Sequence, residues 1–269
     1  MLIWVCALHC EAGPVIDYYR LKKSHEVRAF DVYHGDDMLC IVTGIGKLAS
    51  AAACAWVAAR CEREAALAWI NLGVAGAAEH ELGTLFVINK IVDAETGQSY
   101  YPAPAVTTSL AASACLTLSL PSDEYREDTL FDMEASGFIY SALRFSSAEL
   151  TQSLKIISDN RRQQTGKNRQ RVSELVQAQI ESIDRQAAGL LRLKQQVAAL
   201  EIPADSWQQL LSLAHFSQTQ RNRLRVLWRY LGNREFESQA LLRQLAAHNT
   251  ASAIIATLEQ ISYRDSEEL

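Results

Sequence analysis

The sequence has no C-x-x-C pair, no internal repeat, and only 12 glycines and 5 prolines among 269 residues. The missing cysteine pair argues against a zinc ribbon or a thioredoxin-like redox site. The cysteines, at 6, 10, 40, 54, 61 and 115, all lie in the first half and read as buried, reduced thiols of a cytoplasmic protein. Scarce Gly and Pro, with 49% apolar and 21% charged residues, exclude a collagen-like fibre, a low-complexity linker and a disordered tail. No apolar run approaches the ~18–20 residues of a membrane span. The opening MLIWVCALHCEAG lacks a basic segment and runs straight into an acid, so it reads as a first strand rather than a signal peptide. Histidines are scattered and suggest no metal site. No cofactor is expected.

Charge is uneven. Residues 1–150 carry 10 Lys+Arg against 19 Asp+Glu, whereas residues 151–269 carry 16 against 12. The halves therefore present opposite sign to solvent or to each other, while the overall −5 argues against a dedicated nucleic-acid binder.

The first hundred residues alternate apolar runs with Gly-rich turns. LIWVCAL (2–8) suits a strand buried on both faces, and VRAFDVYHG (27–35) with MLCIVTG (38–44) suggests a hairpin around Asp36-Asp37. After GIGK (44–47), an Ala-rich stretch predicts a helix starting near Lys47. LAWINLG (67–73) and LGTLFVINKIV (82–92) read as strands, 96–113 as a loop, and ACLTLS (114–119) as a short strand. DMEASGFIYSALRF (132–145) reads as a helix with Asp132 as N-cap, and SLKIISD (153–159) as a strand. From about 171 the pattern is helical, with 172–200 as one amphipathic helix and a restart at Pro203 and Asp205. The expected fold class is α/β: a mixed twisted sheet with flanking helices over 1–200, followed by a small all-α extension over 201–269.

Carboxylates and glycines fall where such sheets bind ligands, beyond the carboxyl ends of strands. Glu11 follows the first strand, Gly44-Ile45-Gly46 the third, Gly73–Gly76 the fourth and Asp159 the last, while Glu134 opens a helix. Taken singly, each has a plain structural explanation. Glu11 could be a solvated loop acid, Glu134 a first-turn acid favoured by the helix dipole, and Asp159 a turn cap. His9 reads as a packed histidine, and the glycines as backbone turns rather than phosphate cradles. GIGK lacks the full spacing of a nucleotide P-loop.

Taken in order, HCEAG, TGIGKLASAAA, INLGVAGAA with LGTLFVI, FDMEASG and IISD resemble the nucleoside phosphorylase/nucleosidase superfamily, and among its members the 5′-methylthioadenosine/S-adenosylhomocysteine nucleosidases. The resemblance covers roughly residues 1–200. It implies hydrolysis of the N-glycosidic bond of a purine nucleoside, a 5′-modified adenosine, with release of adenine. By the same resemblance Glu11 activates the water and Asp159 serves purine N7. Met133 and Glu134 hold the ribose, with Gly76, Val74 and Ser158 lining the substrate site. A homodimer is also implied by resemblance.

This chain departs from the nucleosidases in two places. Val74 stands where they carry a Ser, and the region 99–131 is some thirty or more residues shorter. That region supplies the family's base-stacking aromatic, for which Tyr125 or Tyr100 is the candidate here. The early segment ALHCEAGPV carries a carboxylate where the phosphorylases carry a phosphate-gripping Arg, which favours water over phosphate. The alternatives are a phosphate-dependent phosphorylase and a catalytically impaired nucleoside-binding scaffold. The extension carries Arg221, Arg223, Arg225, Arg229 and Arg234, with Trp228 and Tyr230 interleaved. That is either a protein or nucleic-acid contact, or a structural helix with Trp228 in its core.

Overall fold

The computed structural model describes residues 1–61, 66–122, 129–164, 168–199, 204–232 and 238–267. They form two compact units, Met1–Gln195 and Gln196–Leu269.

The first unit contains ten strands: β1 (Leu2–Cys6), β2 (Lys22–Lys23), β3 (Asp31–His34), β4 (Met38–Val42), β5 (Ala68–Gly76), β6 (Leu85–Asp93), β7 (Ser99–Tyr100), β8 (Ala111–Thr117), β9 (Thr129–Asp132) and β10 (Thr151–Asp159). Between them run helices α1 (His9–Tyr18), α2 (Lys47–Arg60), α3 (Ala135–Ala142) and α4 (Arg169–Ala178), with α5 (Ile180–Ala199) after α4. All five residues of β1 are buried, as the uninterrupted apolar run predicts. β1 pairs in parallel with β4 on one side and β5 on the other. β3 and β4 form the expected hairpin around Asp36-Asp37.

β5 organises the sheet. Besides β1 it pairs with β10 in parallel and with β9 antiparallel, while β10–β6, β6–β8 and β8–β9 complete the circuit. Five strands therefore close on themselves, and β1, β4, β3 and β2 extend from β5 as an open wing. Gly76, the last residue of β5, lies at the crossing: it pairs with Asp159 of β10 and with Phe131 of β9. The ends of three strands converge there. Ile3, Val5, Ile41, Val57, Trp69 and Phe138 belong to the core between the sheet and α2/α3.

Three local expectations need correction. The stretch 96–113, expected as a loop, holds β7 and the first residues of β8, which pair with β6. Asp132 is not a helix N-cap but the last residue of β9, and Glu134 occupies the cap position of α3. Asp132 Oδ2 still accepts from the Ala135 N–H at 2.8 Å, so it satisfies a free helix N–H from outside the helix. The stretch expected as one helix is two, α4 and α5, meeting at Gln179. No sequence breaker stands there; the Gln179 side chain instead donates to the Gly83 carbonyl at 2.8 Å, a contact made only in the fold.

The second unit comprises the end of α5 with α6 (Ala204–Ser212), α7 (Gln218–Gly232), α8 (Ser238–Leu245) and α9 (Ala251–Glu267). Its core gathers Leu210, Phe216, Leu224, Trp228, Leu241, Leu245, Ile254 and Leu258. Trp228 is buried, Arg223 pairs with Glu259 at 2.7 Å, and Arg225 lies over the Trp207 ring. Arg234 and Pro203 lie outside the described residues, as do the side chains of Arg229 and Tyr230. No described helix is long and apolar enough to cross a membrane.

Candidate active site

A cavity of about 420 Å³ opens where β5, β9 and β10 end. Glu11, Val74, Gly76, Met133, Glu134, Ser158 and Asp159 all line it. Those are the residues singled out from the sequence, drawn from four separate stretches of the chain.

Glu11 sits in the first turn of α1 rather than in a loop, and it is 3% exposed. Its Oε2 accepts from the N–H groups of Ala7 and Leu8 at 3.0 and 2.9 Å, and its Oε1 from the Val74 N–H at 2.9 Å. Gly73 leaves it room, since a Cβ there would lie 2.9 Å from Oε1. Position 74 thus contributes through its backbone, which a valine supplies as well as a serine. Burial pushes the Glu11 carboxyl up, against the pull of these N–H groups and of Lys155.

Glu134 is nearly as buried, and its Oε1 accepts from the Gly46 N–H at 2.9 Å. That is the task of the GIGK turn. Gly44 and Gly46 have φ of 84° and 106°, conformations that favour glycine, and the turn aims a backbone donor at Glu134. Burial first, then the negative charge of Asp132, pushes Glu134 up to about 7.

Behind these acids stands a buried ion pair that sequence reading missed. Lys155 of β10 is 1% exposed, and its ammonium lies 2.8 Å from Asp132 Oδ2. Burial alone would neutralise both. The pairing overrides it, holding Asp132 below the usual carboxylate range and Lys155 above the usual lysine range. Thr117 Oγ1 donates to Asp132 Oδ1 at 2.7 Å and accepts from the Ser136 N–H. Ser136 Oγ in turn donates to Asp93, which pairs with Lys47. The one lysine inside the apolar strand SLKIISD was the available signal: a cation buried on a central strand needs a buried anion.

Asp159 ends β10, with Ser158 Oγ donating to its Oδ2 at 2.6 Å. The cavity's apolar wall comes from Leu118, Leu120, Pro121 and Phe131. Tyr100 does not line it: Tyr100 lies on β7, paired with Ile91 and packed on the core. Tyr125 falls outside the described residues. His9 is no packed histidine but an exposed ring hydrogen-bonded to Asp31 at 2.9 Å. Among the described residues no group of three or more His, Cys, Asp or Glu is placed to hold a metal ion, and no Lys, Arg or His lines the cavity.

No protein-family model matches the sequence, and neither does any curated protein. Solved structures do match by shape. One is a 5′-methylthioadenosine/S-adenosylhomocysteine nucleosidase from Colwellia psychrerythraea, in complex with adenine. It is 16% identical with a TM-score of 0.55, over 72% of this chain and 95% of that one. The chain has the nucleoside phosphorylase/nucleosidase fold. The corresponding nucleosidase of S. pneumoniae with a transition-state inhibitor matches at 16% identity and TM-score 0.55, over 71% of this chain and 98% of that one. The futalosine hydrolase of Helicobacter pylori matches at 12% identity and TM-score 0.55, over 70% and 97%.

Proposed function

We propose that the protein hydrolyses the N-glycosidic bond of a purine nucleoside, a 5′-modified adenosine, releasing adenine. The observation that carries this is a single cavity lined by Glu11, Glu134 and Asp159 with no basic side chain on its described wall. An acidic wall repels phosphate and suits water as nucleophile, which favours a nucleosidase over a phosphorylase. Two of the similar structures named above are 5′-methylthioadenosine/S-adenosylhomocysteine nucleosidases, one of them bound to adenine, which supports the reading.

In this reading, water attacks the anomeric carbon and passes a proton to Glu11, as the bond to the purine nitrogen breaks and its electron pair leaves with the base. Asp159 meets N7, where the departing base needs a proton. Glu134 accepts from the ribose hydroxyls, and its charge counters the positive charge growing on the sugar. Met133 flanks the ribose, and Gly76, Val74 and Ser158 shape the base end. Lys155, locked to Asp132, offsets part of the negative charge on the two glutamates without entering the cavity. A cytoplasmic homodimer belongs to the same proposal.

The test is chromatographic detection of free base from 5′-methylthioadenosine, S-adenosylhomocysteine, 5′-deoxyadenosine and inosine, with and without phosphate. Adenine release without phosphate is expected. Glu11→Gln should lower kcat by roughly 10²-fold or more, the usual weight of a general base. Release only with phosphate, or full turnover in the variant, overturns the reading.

A further inference from the structure

The turn after β10 brings a further residue to the cavity. Asn160 and Gln163 exchange both backbone hydrogen bonds, at 2.8 and 3.2 Å, so Arg161-Arg162 is a two-residue turn. Asn160 Oδ1 accepts from the N–H groups of Arg162 and Gln163, both at 2.9 Å, and Asn160 Nδ2 donates to the His80 carbonyl. Arg161 N–H reaches the Ala78 carbonyl, and the Asp159 carbonyl accepts from Ala77 N–H. The ribbon is therefore fastened to the segment that follows β5.

The next pair along this ribbon is Asp159 opposite Gln164, antiparallel. A pair flanking a mutually hydrogen-bonded one is of the non-hydrogen-bonded kind. Its Cα atoms lie ~4.5 Å apart and its side chains sit close together on one face. Both residues line the cavity, Asp159 half-buried and Gln164 exposed. Two polar groups held side by side match two adjacent polar positions on a ligand. The N7 and 6-substituent of a purine are such a pair, on one edge of the base.

We infer that Gln164 is a specificity residue whose side-chain oxygen accepts from the 6-amino group of the adenine whose N7 meets Asp159. The inference rests on the nucleoside reading above. A carboxamide has one acceptor oxygen and an NH₂ donor, so it satisfies an amino group that a purine lacking the 6-substituent does not offer.

The experiment compares binding of free adenine and unsubstituted purine, by calorimetry, to the full chain and to Gln164→Ala and Gln164→Glu. Both bases carry N7, so the Asp159 contact is common to them. The wild type should prefer adenine by about tenfold, the worth of one good hydrogen bond. Gln164→Ala should bring the ratio near one, while Gln164→Glu, still an acceptor, should keep or raise it. A ratio unchanged in Gln164→Ala overturns the assignment. Loss of affinity for both bases in equal measure also overturns it, because a merely structural glutamine would do that. If the wild type binds neither base and releases none from nucleosides, the nucleoside reading falls and the inference with it.

Discussion

Glu134 has two consequences that can be measured. Its carboxyl is raised from about 4.5 to about 7 in the folded protein, so the folded state holds the proton more tightly than the unfolded chain. Its contribution to stability is full below the unfolded value and is lost as pH rises through 7. Over that window the contribution is on the order of 3 kcal/mol. Denaturant midpoints at several pH values should fall from pH 5 to pH 8, and Glu134→Gln should flatten the slope. Asp132 runs the other way: its depressed carboxyl stabilises the fold above about 3.8, and this is lost at lower pH. The ion pair it makes calls for a double-mutant cycle. Lys155→Met alone strands a buried anion and should cost about 3–5 kcal/mol, while adding Asp132→Leu should recover much of the loss. Additive losses would show that the two groups act independently.

The contact between α2 and α3 depends on one missing side chain. A Cβ on Gly137 would lie 1.8 Å from the Lys47 carbonyl oxygen, at the first residue of α2. Backbone cannot yield as a flexible side chain does. Gly137→Ala should therefore push the start of α2 away, at a cost of about 1–3 kcal/mol or more. The same shift moves Gly46, whose N–H holds Glu134, so base release should drop with the melting temperature. A variant with wild-type stability would mean that the helices part freely. α4 is anchored more simply: Asn168 Oδ1 accepts from the Arg171 N–H as an N-cap. The division of 172–200 into α4 and α5 was not readable, because both pieces share the amphipathic period and only Gln179's bond to Gly83 marks the joint.

Each of the two units has its own apolar core, one around the sheet and one among α6 to α9. Calorimetry should accordingly resolve two transitions. Trp228→Ala, which empties a large buried site in the helical unit, should lower one of them by about 3–5 kcal/mol of stability and leave the other in place. A single transition shifted as a whole would instead show that the units melt as one. Arg223 and Arg225 of α7 take part in the packing of their own unit, through Glu259 and Trp207 respectively. Their alternation with aromatics is the pattern that also suggests a binding surface, and sequence alone does not separate the two uses.

Periodicity and turn chemistry were enough to read β1, the β3–β4 hairpin, α2, β5 and β6 in the first hundred residues, but not α1. Buried strands are written as unbroken apolar runs, and glycines stand where the backbone turns. The order of HCEAG, GIGK, DMEAS and ISD also pointed to Glu11, Glu134 and Asp159 before any distance was known. Their meeting was decided by the tertiary structure, because β5 pairs with both β9 and β10 at Gly76 and so gathers residues more than a hundred positions apart. Lys155, Asp132 and Gln164 belong to that same level. A lysine in a strand, an acid before a helix and a glutamine in a polar loop have no fixed meaning alone. Burial and partners assign it, and both arise only when the chain closes around the cavity.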